Sequence, residues 1–233
     1  MKTIFNFLMI TMVCIVLGGC NGKQKAAAGQ KINDKQLTST SDKQKQQLER
    51  KLDRKYTDAK SHYELGKIYH REGQWDKAEW EYSKALAFNP ANFEAQASIV
   101  KLSADKGEKQ RSDVLAEQYI NQASVSAKNS LLLGRAFQDR GMDEYALQSY
   151  TQAHRLAPNS VVINKQLGYF YLLKGDNANA EIYLRRSFEL DPYQPDVASQ
   201  LGKLGVQVEI PKKAKGIKKL DKKKQISGQG QID

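Results

Sequence analysis

From residue 59 onward, apolar residues four apart stand in otherwise polar stretches that each run into a glycine: Leu65 and Tyr69 before Gly73, Leu133 and Phe137 before Gly141, Leu167 and Tyr171 before Gly175. Spacing of this kind puts the apolar side chains on one face of a helix, and glycine marks where the helix stops. After each glycine a second amphipathic stretch follows and runs into proline, at Pro90, Pro158 and Pro192. The pattern predicts pairs of helices joined by tight turns, with no strand alternation over most of the chain.

The pairs recur every 34 residues, giving copies at 59–92, 93–126, 127–160 and 161–194. A fixed period in this range is the mark of stacked repeats. Position 7 of the copies reads Leu65, Ile99, Leu133 and Leu167, and position 8 reads Gly66, Val100, Gly134 and Gly168. Position 24 reads Tyr82, Ala116, Tyr150 and Leu184. Glycine inside a helix costs about 1 kcal/mol relative to alanine, so its return at position 8 implies a helix packed too close for a side chain. Gly73, Gly107, Gly141 and Gly175 share position 15 and suit the left-handed residue that ends a first helix. Proline at position 32 stops the second helix. A helical hairpin of this kind cannot bury its own face and has to stack on its neighbours.

The second copy departs from the pattern. It has no proline, lacks the aromatic residues and carries "SADKGEKQRSD" across its turn. The expectation is a longer turn and a later second helix, with Val114, Leu115, Tyr119 and Ile120 as its apolar face. After the fourth copy, Leu201 and Gly202 repeat positions 7 and 8 and predict a capping helix. The segment 195–210 then covers that helix and a short extended piece. Leu48 and Leu52 predict a leading helix over 43–58, preceded by a flexible tether over 20–42. Residues 211–233 are rich in lysine and glycine and read as a disordered tail.

This arrangement resembles the tetratricopeptide repeat, whose spacing of Leu-Gly, Tyr, Gly, Ala, aromatic, Ala and Pro fits the first, third and fourth copies, with Ala85, Ala153 and Ser187 at its further small position. The resemblance implies an all-α fold, an α-solenoid of helix-turn-helix repeats between a disordered tether and tail. In that family the first helices line a concave groove that takes a peptide. Carried over by position, the groove residues are Tyr63, Lys67, Lys101, Arg135, Gln138, Lys165, Tyr169 and, on the capping helix, Lys203. Four cations at position 9 imply an acidic or carboxylate-bearing partner. Family members that clamp a chaperone C-terminus use asparagine at position 9, where this chain has Lys67 and Lys101, so that partner is not implied.

Charge sharpens the division of the chain. The net charge is +11, yet residues 59–210 hold 18 Lys or Arg against 19 Asp or Glu. The excess lies in the flanks: ten basic and five acidic residues over 21–58, eight lysines and one aspartate over 211–225. A near-neutral body argues against nucleic acid as the partner. The two cysteines, Cys14 and Cys20, both fall in the first twenty residues, which excludes a later disulfide or thiolate metal site. No apolar run of 18 residues follows the N-terminus.

"MKTIFNFLMITMVCIVLGGC" has the layout of a secretory signal peptide: Lys2, a largely apolar run from Ile4 to Leu17, then small residues. Its last four residues, Leu17 to Cys20, resemble the lipobox of bacterial lipoproteins, with glycine where alanine or serine is commoner. The resemblance implies removal of residues 1–19 and acylation of Cys20 by palmitate-type chains, a stable anchor because several chains are buried. Asn21, not Asp, then points to the outer membrane and a body facing the periplasm.

No catalytic constellation accompanies these features. His62, His70 and His154 are the only histidines and show no metal-ligand spacing, His70 reading as a solvated helix residue. The expectation is a non-enzyme with no cofactor, no metal and no small-molecule substrate. Among lipoproteins of this plan, the chain looks most like those that assist pilus or secretion-machine assembly, including type IV pilotins and the tight-adherence pilus lipoprotein. An adaptor that recruits or regulates cell-wall hydrolases or proteases is the other reading.

Overall fold

The computed structural model describes residues 34–211. The chain divides into two units, Met1–Ser39 and Thr40–Asp233. Of the first, only the opening turn of helix α1 (Asp34–Arg54) lies among the described residues, so the following account concerns the second unit. Cys20, the signal peptide and residues 212–233 lie outside the described residues.

The described residues form ten helices and no strand. After α1 come four hairpins: α2 (Ala59–Arg71) with α3 (Trp75–Phe88), α4 (Phe93–Asp105) with α5 (Lys109–Ala123), α6 (Ala127–Gln138) with α7 (Asp143–Leu156), and α8 (Val161–Leu173) with α9 (Asn177–Leu190). Helix α10 (Pro195–Lys203) closes the stack. Among the described residues no helix is long and apolar enough to cross a membrane. Helix α1 begins at Asp34, inside the stretch expected to be tether, and turns Leu52 into the core while Ser41 and Lys45 both hydrogen-bond Glu72 at the end of α2.

Every hairpin turns in the same way. The position-15 glycines have φ between 68° and 79°, the left-handed region that a side chain disfavours. The next residue then donates its N–H five residues back, Gln74 to the Tyr69 carbonyl at 2.9 Å and Glu108 to the Ser103 carbonyl at 2.9 Å, which satisfies a carbonyl the helix end would leave open. The second copy therefore has no longer turn. Helix α5 starts at Lys109, the same repeat position as Trp75, Asp143 and Asn177, because Gly107 closes α4 as its counterparts close the others. Missing proline changes only the far end, where α5 runs one residue longer than α3, α7 and α9. Val114 is also not on the buried face: it is 58% exposed, whereas Leu115, Tyr119 and Ile120 pack on the core.

Inside the hairpins, position 8 faces position 24. A Cβ on Gly66 would fall 2.6 Å from the Tyr82 ring, on Gly134 2.5 Å from the Tyr150 ring, and on Gly168 2.5 Å from Leu184 Cγ. In the second hairpin the volumes are exchanged: Val100 and Ala116 hold these positions, both fully buried. Ser112 replaces the alanine of position 20 and donates to the Val100 carbonyl at 3.1 Å. With a valine between them, α4 and α5 make fewer close backbone approaches than the partners in the other hairpins.

The stacking changes at the same place. Elsewhere a second helix packs on the next first helix, as α3 does on α4, α7 on α8 and α9 on α10. Between the second and third hairpins the main contact is instead α4 on α6. Junctions are also held by position 4, whose buried polar side chain reaches back to the preceding loop or, at Ser130, to the last residue of the preceding helix. His62 Nε2 meets the Tyr56 carbonyl at 2.8 Å, Gln96 donates to the Pro90 carbonyl at 2.8 Å, Ser130 to the Ala123 carbonyl at 3.1 Å, and Asn164 to the Pro158 carbonyl at 2.8 Å. Past α10, Gly205 repeats the glycine closure, and Val206 and Val208 fold onto α9 and α10 without forming a strand.

Candidate functional site

The first helices supply a groove of about 570 Å³ between α2 and α4, closed at one side by the turn after α6. Three of the residues singled out by position, Tyr63, Lys67 and Lys101, line it together. Its floor is Arg140, which crosses from the third hairpin to the first. The guanidinium donates to Ser98 Oγ at 2.9 Å, to the Ala136 carbonyl at 2.6 Å and to Tyr63 Oη at 2.7 Å. Helices α4 and α6 pack on each other, and Arg140, in the turn after α6, contacts Ser98 of α4 and Tyr63 of α2.

His70 is not a solvated helix residue. Its Nε2 lies 3.0 Å from Asp105 Oδ2 and its Nδ1 3.4 Å from Tyr82 Oη. An Nε2–H donating to the carboxylate leaves Nδ1 to accept from the phenol, so a neutral ring satisfies both contacts. Burial pushes the Tyr82 phenol well above its ordinary range, with a hydrogen bond to Ser98 opposing it, so Tyr82 stays a neutral donor. The floor thus carries two polar runs, Tyr63–Arg140–Ser98 and Tyr82–His70–Asp105.

The rim carries charge. Lys67 pairs with Glu64 at 3.0 Å and lies 5.2 Å from the centroid of the Tyr63 ring, while Lys101 pairs with Asp105. With Arg71 and Arg140, four fixed cations line the groove against three carboxylates, Glu94, Asp105 and Asp139. Such a surface offers an incoming anion a choice of cations, of which Lys67, Lys101 and Arg140 are already oriented by a neighbour.

The other five residues do not join this groove. Arg135 donates to Gln166 at 3.2 Å, and Gln138 accepts from Tyr150 Oη at 2.6 Å and from Gln166 at 3.2 Å, so both serve the joint between the third and fourth hairpins. Lys165 and Tyr169 converge on Asp196 of α10, Tyr169 Oη at 2.9 Å. Lys165 holds the Asp196 carboxyl below the usual range against the opposing effect of burial. Burial first, and then the Asp196 hydrogen bond, push the Tyr169 phenol up to about 12. Lys203 is exposed on the last turn of α10. Among the described residues no group of three or more His, Cys, Asp or Glu is arranged to hold a metal ion.

Sequence reasoning missed Arg140, His70 and Ser98. Arg140 stands at position 14, outside the positions carried over, and its partner Tyr63 is 77 residues away. Ser98 and His70 stand at positions 6 and 12, of which only position 12 was marked, through Gln138.

Two segments match the model of the tetratricopeptide repeat, residues 59–92 and 166–194. They cover the first hairpin and most of the fourth, so the chain carries tetratricopeptide repeats there. The described fold is similar to that of yeast Tom70, with 14% identity and a TM-score of 0.50 over 69% of this chain and 35% of that one. MamA from Desulfovibrio magneticus RS-1 aligns at 19% identity over 68% of this chain and 89% of its own, with a TM-score of 0.38. A thermophilic TPR protein of Thermus thermophilus aligns at 18% identity over 72% and 92%, with a TM-score of 0.40. No curated protein matches the chain. At such identities, likeness extends to the fold and not to a partner.

Proposed function

We propose that this chain is a lipid-anchored scaffold of the bacterial cell envelope that holds an acidic protein segment in the α2–α4–α6 groove during assembly of a pilus or secretion machine. The observation that carries the binding role is the groove itself: a floor fixed by Arg140 and a rim in which Lys67, Arg71 and Lys101 stand beside Tyr63. An extended segment bearing Asp or Glu fits that chemistry, its carboxylates competing with Glu64 and Asp105 for the rim cations. The anchor rests on the Leu17–Cys20 lipobox resemblance, and the choice of machine on architecture and size.

The test is crosslinking in intact cells, purification from membranes and identification of what is attached. A Lys67→Ala, Arg71→Ala, Lys101→Ala variant is compared with Lys165→Ala, which lies outside the groove. Loss of three charge-assisted contacts should lower capture of the partner about tenfold or more, with Lys165→Ala unchanged. A pilus or secretion component lost only from the triple variant supports the reading. Equal capture by all three proteins overturns the groove, and recovery of cell-wall hydrolases instead replaces the assembly role with that of an adaptor. The mass of the N-terminal peptide tests the anchor separately.

A further inference from the structure

Opposite in character to the groove, an aromatic patch stands at the start of the stack. Trp80 and Lys84 lie one helical turn apart on α3, and Phe88 is its last residue. Tyr56 comes from the loop after α1. Tyr56 is 53% exposed and Trp80 59%. The Lys84 ammonium lies 4.4 Å from the Trp80 ring centroid and 5.7 Å from that of Tyr56, so one cation bridges the two rings. Tyr56 meets Phe88 edge-on at 5.8 Å.

The patch is fixed from beneath. His62, buried, stacks on Phe88 at 5.5 Å and meets the edge of Tyr56 at 5.3 Å. The imidazole is itself held by Glu81 at 2.7 Å and the Tyr56 carbonyl at 2.8 Å. No later hairpin repeats the arrangement: the counterparts of Trp80 are Val114, Gln148 and Ile182, and those of Phe88 are Gln122, Leu156 and Leu190.

We infer that Tyr56, Trp80, Lys84 and Phe88 form a docking surface for an anionic bilayer. Amphipathic aromatic rings beside lysine favour the headgroup region, where the ring bodies meet acyl chains and the polar tips stay wet. Charge complementarity selects lipid as the occupant. The run 43–55, which leads directly into Tyr56, carries six basic and two acidic residues, and Arg50, Lys51, Arg54 and Lys55 are exposed. Access to the bilayer rests on the lipid-anchored reading, since Tyr56 comes 36 residues after Cys20. The surface would hold the first hairpin at the membrane and leave the groove-lining helices free for a protein partner.

The chain has two tryptophans, so Trp75→Phe leaves Trp80 as its only indole. This variant of the full chain, purified from membranes, is placed in phosphatidylcholine–phosphatidylglycerol vesicles carrying acyl-chain-brominated lipid, and circular dichroism checks its fold. Trp80 emission should shift to the blue and fall at least ~2-fold, with a clear reduction of that quenching in phosphatidylcholine alone or on adding Lys84→Glu. Unquenched, water-like Trp80 emission from vesicle-bound protein overturns the inference. So does a blue shift that depends on protein concentration without vesicles, which would assign the patch to a second copy. The N-terminal mass reports acylation independently of Trp80, so a failed anchor and a failed patch are told apart.

Discussion

The second hairpin and the other three reach one backbone by opposite routes. The first, third and fourth put glycine on the first helix and a large side chain on the second, so a ring or a leucine lies directly on the opposing backbone. The second puts Val100 on the first helix and Ala116 on the second, and the helices stand further apart. What a repeat has to conserve is the volume shared by two facing positions, not the residue at either. The same hairpin also stacks differently: α4 packs on α6, and Arg140 from the turn after α6 reaches Tyr63. The irregular repeat is the one that shapes the groove.

The comparison can be broken by writing one hairpin into another. Tyr150→Ala should cost about 3–5 kcal/mol as a buried ring is lost, and Gly134→Val about 1–3 kcal/mol or more from overpacking. Together they recreate the Val100–Ala116 pair in the third hairpin, and the double variant should be more stable than the sum predicts by at least about 1 kcal/mol. Denaturant unfolding measures this cycle, and strict additivity would refute the idea of shared volume.

A smaller effect sharpens the contrast at the junctions. Asn164→Ala removes the donor to the Pro158 carbonyl in a site closed to solvent and should cost about 1–2 kcal/mol. Thermal unfolding that left Asn164→Ala equal to the parent would deny the bond a role in stability.

The smallest effect is set by pH. Glu79 ties the first hairpin to the second through Arg111 and Lys106, and Arg111 above all holds its carboxyl below the ordinary value, against burial. A lowered folded-state pKa gives stability that is complete above the unfolded value near 4.3 and fades as pH falls through the folded one. Glu79→Gln should therefore be less stable by up to about 1 kcal/mol at neutral pH, with the gap closing in acid. A difference that stays constant to low pH would show that the ion pairs contribute nothing.

Much of the fold was legible because each hairpin declares itself locally. Leu at position 7, Gly at 8 and 15 and Pro at 32 act within one or two turns of helix. The second copy departs from the pattern at Val100 and Ala116 taken singly but not as a pair, and Gly107, in register with the other position-15 glycines, outweighs the polar residues around it and keeps the turn short. The groove was half legible: Tyr63, Lys67 and Lys101 followed from repeat position, but Arg140 is a contact across two repeats, set by how helices stack. Arg135, Gln138, Lys165 and Tyr169 sit on the right helices, and the polar partners that engage them come from Gln166, Tyr150 and Asp196.

The back-reaching side chains at position 4 also say where the module can be cut. Each bond joins residues only six or seven apart in the chain, so it forms with the loop and does not wait for the stack. A recombination point at the start of a first helix would separate His62, Gln96, Ser130 or Asn164 from its acceptor. One placed before the loop, ahead of Pro90 or Pro158, would carry donor and acceptor together. The unit that can be exchanged, duplicated or deleted therefore begins at the loop, a few residues upstream of the helix that names it.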